Sequence, residues 1–284
     1  MVGSISRRTA MLSGAAVVGT AGLDNGALAA TPLPEKVKLY ARARGAPNGQ
    51  LGMSWYSGRF WGKRAQQAAK LFFRVDGFSF GRMSFGDDGS LTQNMVEVGF
   101  WLDPQTGEPA DDWINPYNGL ACKPQHYKSS QSLTFDRNGN ATRENPPPGM
   151  QFRGQITEPV VNGDYVWIGE DLIVETVRPR RDTNADGSAI DPSTILPPIM
   201  TATSLVTFTV RLADVAAPDS EWLPSTMNFQ TMGNWYPWMR MGYETGQCMF
   251  QLQGRKVRGL EEIPPRLRKL IDERRPGFLE NPEV

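Results

Sequence analysis

Strand-forming runs recur along the whole chain and only one stretch has helical spacing, which limits the fold more than any other feature. Leu51–Trp61 (LGMSWYSGRFW) and Leu71–Phe85 (LFFRVDGFSFGRMSF) mix aromatic and polar residues with strand character. Met95–Leu102 (MVEVGFWL) places Val96 and Val98 on one face and Glu97 on the other, because side chains alternate across a strand. Tyr165–Val177 and Thr201–Leu212 are long runs, the latter rich in β-branched residues that suit a pleated surface, and Gln247–Val257 adds another. Asp76-Gly77 predicts a hairpin inside the second run, Asn138-Gly139 another turn, and Gly254 a turn inside the last run. Leu260–Arg275 alone reads as a helix, with Leu267, Leu270 and Ile271 on one stripe and Pro264 and Pro265 suited to its first turn. Without strand–helix alternation, a parallel sheet is disfavoured. The expected fold is mainly β: a large antiparallel β-barrel of the calycin or lipocalin kind, or a strongly curved sheet, with a C-terminal helix. Closure hides strand edges and encloses a ligand cavity.

The N-terminus reads as an export signal. Ser6-Arg7-Arg8-Thr9 precedes a short apolar run, Met11–Leu23, and Ala27-Leu28-Ala29 forms a small-residue cleavage site. The arginine pair points to the twin-arginine route and hence to the periplasm. Residues 1–30 are therefore expected to be a removable signal peptide and residues 31–284 a single barrel-like domain. No later apolar run predicts a membrane span.

Thirty basic and thirty acidic side chains balance, so charge offers no case for nucleic acid or an anionic membrane. Eight Trp and thirteen Phe are a large aromatic supply, suited both to a core and to the wall of an apolar pocket. Cys122 and Cys248 read as buried small hydrophobes, with a disulfide as the alternative in an oxidising compartment. Two cysteines and one histidine exclude zinc-finger and iron–sulfur arrays. Asp182, Asn184, Asp186 and Gly187 open like a calcium loop, but Ser193 stands where its bidentate acid should be, so no metal is expected. Motifs for serine hydrolases, nucleotide-binding loops, dinucleotide folds, zinc proteases and thioredoxins are all missing, and no cofactor is expected.

Candidate chemistry is sparse. His126, the sole histidine, is a candidate general base. Glu170 and Asp171 are adjacent in a strand, so at most one looks into a barrel, and Glu175 shares a face with Asp171. An inward carboxylate in an aromatic cavity would have a raised pKa and could move a proton. Arg74, Arg82 and Arg153 lie in or beside strands, where an inward guanidinium could hold a carboxylate or phenolate. Trp235, Tyr236 and Trp238 belong to the densest aromatic segment, which suits a pocket wall as well as a core.

Three segments resemble a family of exported bacterial proteins known as domain of unknown function 1838. They are Trp101–Glu108 leading to Trp113-Ile114-Asn115-Pro116-Tyr117-Asn118-Gly119, the following His126, and Trp235–Gly242 with Gly254-Arg255-Lys256 and the tail from Leu260 to Pro276. The resemblance implies export and a strand-rich fold, and it carries no agreed activity. The expected function is a cofactor-independent lyase or isomerase on a hydrophobic aromatic small molecule, such as a phenolic, lignin-derived dimer that loses formaldehyde by retro-aldol cleavage. His126, Glu170 or Asp171 would move the proton, and Tyr117, Arg82, Arg153, Trp235, Tyr236 and Trp238 would hold the ring. The alternative is a periplasmic, lipocalin-like carrier for an apolar ligand. A homodimer is compatible with the sequence, which does not fix the oligomeric state.

Overall fold

Ten antiparallel strands pair edge to edge until the last meets the first. The computed structural model describes residues 33, 35–47, 49–177, 188–195, 197–217, 222–282 and 284. The signal read at residues 1–30 and the calcium-like turn at 182–187 lie outside these residues. In chain order the elements are α1 (Lys36–Arg44), β1 (Leu51–Arg64), β2 (Lys70–Phe85), β3 (Leu91–Leu102), β4 (Trp113–Ile114), β5 (Ala121–Cys122), β6 (Tyr127–Phe135), β7 (Asn140–Thr142), β8 (Met150–Ile156), β9 (Val160–Asn162), β10 (Tyr165–Val177), β11 (Ile199–Arg211), α2 (Leu212–Ala216), β12 (Thr226–Gly233), β13 (Gly246–Val257) and α3 (Pro265–Arg274). The sheet runs β11-β12-β13-β1-β2-β3-β6-β7-β8-β10, and pairing of β10 with β11 closes it. The short β9 lies beside the start of β10, and β4 and β5 form a separate hairpin. The expected mainly-β barrel with a C-terminal helix is the fold observed. Among the described residues, no helix is long and apolar enough to cross a membrane.

Strands β2 and β3 are covered on both faces. Phe78, Phe80, Val96, Val98 and Phe100 point outward, where Leu267, Leu270 and Ile271 of α3 and Phe278 and Leu279 behind it pack over them. The apolar stripe of the C-terminal helix thus finds its partner on the outside of the wall. That leaves the alternate positions of the same strands, including Ser79 and Glu97, facing the barrel interior.

The inner core belongs to aromatic rings. Phe60, Phe73, Trp101 and Phe250 pack together, with Trp101 and Phe250 stacked at 5.5 Å. Helix α1 adds Tyr40, whose ring meets Phe135 of β6 and Phe208 of β11 and whose hydroxyl reaches β3 and β10. A side chain that touches four strands around the ring must lie inside it, so α1 caps the barrel. Sequence periodicity missed this helix because KVKLYARAR alternates with a period of two, like a strand.

Two expected turns are absent. β2 runs straight through Asp76-Gly77, and β13 through Gly254. Both glycines sit mid-strand for a different reason. Along one row of the wall the ladder places Gly254, Tyr56, Gly77, Gly99 and Tyr127 side by side, on β13, β1, β2, β3 and β6. A Cβ on Gly77 would strike the Tyr56 ring, and one on Gly99 the Tyr127 ring. Gly77 and Gly99 are clearances over which two tyrosines lean toward each other, whereas a Cβ on Gly254 would meet the Trp55 carbonyl oxygen on β1. The turn expected at Asn138-Gly139 is present, with Gly139 at φ 83° between β6 and β7.

Candidate functional site

The barrel encloses a cavity of about 780 Å³, well within the range of small-molecule sites. Trp101, Phe229, Tyr236, Trp238 and Phe250 give it aromatic walls, and Glu97, Glu170, Tyr56, Tyr127 and Arg44 give it chemistry. Lys128 and Ser129, exposed at the start of β6, form part of its rim.

The first polar group is built on the glycine row. The hydroxyls of Tyr56 and Tyr127 lie 2.8 Å apart. Tyr56 also donates to Glu97 Oε2 at 3.2 Å, and Ser129 Oγ donates to Glu97 Oε1 at 2.9 Å. Each phenol has one proton, so if Tyr56 donates to Glu97, Tyr127 must donate to Tyr56. The result is an ordered relay, Tyr127 to Tyr56 to Glu97. Burial first, then the nearby Glu97 charge, raises the pKa of both phenols well above the ordinary tyrosine value, so they remain protonated donors. Tyr236, on the same wall, is raised by burial as well.

The second group lies deeper. Glu170, only 3% exposed, points inward from β10. Its Oε2 is 2.6 Å from the Tyr40 hydroxyl, which is also 2.9 Å from Gln93 Oε1. Gln93 Nε2 is turned toward Met95 Sδ, which leaves its carbonyl oxygen facing Tyr40. One phenolic proton cannot satisfy two acceptors, so a protonated Glu170 completes the arrangement by donating to Tyr40 while Tyr40 donates to Gln93. Burial, the largest influence on Glu170, raises its pKa in the same sense, against the opposing effects of Arg44 and Tyr40.

This has a consequence for stability. A carboxyl whose pKa is higher in the folded than in the unfolded chain favours folding fully below its unfolded value, near 4.5, and loses that contribution as pH rises through the folded value. The melting temperature is therefore expected to fall as pH rises above this point, and Glu170→Gln is expected to flatten the profile. Thermal melts at a series of pH values check it. Parallel profiles for the two proteins would show that folding does not raise the Glu170 pKa.

The remaining residues singled out from the sequence divide clearly. His126 lines the cavity, but both of its ring nitrogens are engaged. Nδ1 accepts the Trp101 backbone N–H at 3.0 Å, which sets the proton on Nε2, 3.2 Å from Asp111 Oδ1. Asp111 is gripped by both terminal nitrogens of Arg274, and Arg275 donates to the His126 carbonyl. Burial lowers the His126 pKa. With its lone pair spent on a backbone amide, the imidazole ties the loop to α3 and has no free basic nitrogen.

Asp171 points to the opposite face from Glu170 and does not line the cavity. Glu175 shares that outer side, where it meets exposed Arg153 at 3.4 Å. Arg82 is exposed and donates to the Gly49 carbonyl, and Arg74 does not line the cavity either. Tyr117 donates to the Gly62 carbonyl and packs against Phe72 and Trp235, while Trp235 donates to the Glu244 carbonyl. Both are core residues; only Tyr236 and Trp238 of the aromatic segment reach the cavity, stacked at 6.0 Å. Cys122 and Cys248 are buried and unbridged.

The distinctive motifs prove to be partners. Asn115, fully buried, donates to the Met239 carbonyl at 2.7 Å, and Asn118 to the Arg240 carbonyl at 2.8 Å. Trp113 packs edge-on against Trp238. The β4–β5 hairpin thus clamps the Trp235–Gly242 segment and sets Tyr236 and Trp238 on the cavity wall.

Sequence reasoning missed Glu97, Tyr56, Tyr127, Tyr40 and Arg44. A signal was present for Glu97: an acid at the alternate positions of an apolar strand, in register with Gly99 and Trp101. No curated protein matches the chain. Protein of unknown function (DUF1838) is the family that matches, over residues 49–127 and 192–284, segments that include Tyr56, Glu97, His126, Tyr127 and Tyr236 but not Arg44 or Glu170. The chain belongs to this family.

Proposed function

We propose that the protein is a cofactor-independent lyase or isomerase that moves a proton on an aromatic, phenolic small molecule held inside the barrel. The observation that carries this reading is the placement of two carboxyl groups, Glu97 and Glu170, in one aromatic cavity with different hydrogen-bonding surroundings. Glu97 accepts from two hydroxyls, as a base does, whereas Glu170 is arranged as a protonated acid. Two carboxyls with different hydrogen-bond partners in one cavity can divide the acid and base roles between them. A simple carrier of apolar ligands would gain nothing from this pair.

In the concrete version, the substrate is a phenolic dimer at the quinone-methide stage, after loss of its benzylic oxygen substituent. Glu97 takes the proton from the side-chain hydroxyl, directly or through Tyr127 and Tyr56. The carbon–carbon bond to the hydroxymethyl carbon breaks, formaldehyde leaves, and the electron pair flows into the quinone methide to restore an aromatic phenolate. In the earlier step the substrate's phenolate expels the benzylic oxygen to give the neutral quinone methide, and Glu170 supplies the proton to the departing oxygen. The sequence is redox-neutral. The arginine-pair leader supports placing this chemistry in the periplasm.

The test is incubation of the purified protein with a panel of phenolic dimers and monomers, following formaldehyde and organic products by mass spectrometry. Formaldehyde or an isomerised product is the expected result, with Glu170→Gln at least about a hundredfold slower. Tight binding without turnover across the panel would move the reading to the carrier.

A further inference from the structure

The last residue of α1 brings a guanidinium to the cavity. Arg44 has five N–H donors. Among the described residues it meets Met95 Sδ, a weak acceptor, and the Tyr40 hydroxyl oxygen, and its Nε is buried with no partner. Its charge lies over the Phe208 ring, 5.3 Å from the centroid. It forms no ion pair with any described carboxylate. Arg275, whose Nε is likewise unpartnered, and Lys128 line the same cavity, so basic side chains outnumber Glu97 and Glu170 there.

The position of Arg44 is held firmly. Lys256 Nζ donates to the carbonyls of Arg42 and Gly45, each at 2.6 Å, and Ser225 Oγ donates to the Ala43 carbonyl at 2.7 Å. A rigidly placed cation with unspent donors at the wall of an aromatic cavity is costly to the empty protein, and an anion paired with it would remove that cost. Guanidinium geometry matches a carboxylate with two parallel hydrogen bonds.

We infer that the ligand carries a carboxylate: the barrel receives an aromatic carboxylic acid whose acid group is bound by Arg44, with its ring against the wall that Trp101, Tyr236 and Trp238 form. This rests on the reading of the barrel as a site for an aromatic small molecule. It places the acid group at the α1 end, beside Glu170, and leaves the rest of the molecule facing Glu97.

The experiment is calorimetric titration with 4-hydroxycinnamate and with its methyl ester, which differ in the charge alone at nearly constant shape. The wild-type protein is expected to bind the acid at least about tenfold more tightly. Arg44→Met should abolish that preference while retaining ester binding, which also shows that the cavity is intact, and Arg44→Lys should keep part of it. Equal wild-type affinities for acid and ester would overturn the inference, as would a preference that survives in Arg44→Met. Binding of neither probe would remove the aromatic-ligand reading and the inference together. Acid-selective binding with no turnover of any aromatic acid would leave the inference standing and remove only the catalytic reading.

Discussion

Glu97→Gln is expected to lower turnover about 10²- to 10⁴-fold and to leave the barrel intact. Glutamine keeps the size of the side chain, and its one carbonyl oxygen can still accept from Ser129 Oγ or the Tyr56 hydroxyl, the two groups that hold Glu97, while its amide N–H meets the other. What it cannot do is take a proton. Tyr56→Phe supplies the control for the relay. It removes the hydroxyl between Tyr127 and Glu97, and the loss should be smaller if the substrate reaches Glu97 directly. The measurement is kcat and KM for whichever aromatic substrate the panel yields, with circular dichroism to confirm folding. A Glu97→Gln protein with wild-type kcat would remove Glu97 from the chemistry.

Trp101→Ala is expected to cost about 3–5 kcal/mol of stability, measured by urea unfolding. The side chain is 1% exposed and touches rings from several directions: Phe60 at 4.7 Å, Phe73 at 5.6 Å, Trp238 at 5.6 Å and Phe250 at 5.5 Å. Its indole N–H also donates to the Gln125 carbonyl at 2.8 Å, so truncation leaves that acceptor without its partner as well as opening a void. Trp167→Ala makes the comparison. This residue is 42% exposed on the outer side of β10, and its removal should change stability by no more than about 0.5 kcal/mol. Similar losses at both positions would contradict the packing described.

The parts of the fold that could be read from sequence are those where one face decides the pattern. Tyr165–Val177 matches β10 end to end, and the Leu267, Leu270, Ile271 stripe is the buried face of α3. Asp76-Gly77 and Gly254 misled because a glycine looks the same whether it turns a chain, makes room for a neighbour's ring, as Gly77 does, or lets a neighbouring backbone come close, as Gly254 does. The tyrosines that need the room come from other strands, Tyr56 from β1 and Tyr127 from β6. The inward face was hidden for a related reason. Val96 and Val98 form an apolar side that would ordinarily be the core side, yet here it is covered by α3 from outside, and Glu97 takes the interior. His126 stood out as the lone histidine, but its role depends on the Trp101 amide, a contact that spacing cannot reveal. Arg44 and Tyr40 sit in a short helix whose period resembles a strand, so nothing local marked them as cavity residues.

Closure of the ring sets a schedule for the growing chain. β1 hydrogen-bonds to β2 on one edge and to β13 on the other, so the first strand made waits for nearly the last. Until residues 246–257 have left the ribosome, one edge of β1 has no native partner, and the outward phenylalanines of β2 lack α3, which is made later still. Pairings so distant in sequence form slowly, and an unpaired edge beside bare aromatic surface invites association with other chains. The newly made protein thus passes through an interval of exposure that ends only when residues 246–274, which hold β13 and α3, arrive. Among the described residues, β13 is the one strand that joins β1 to β12, so the ring has no route to closure without it.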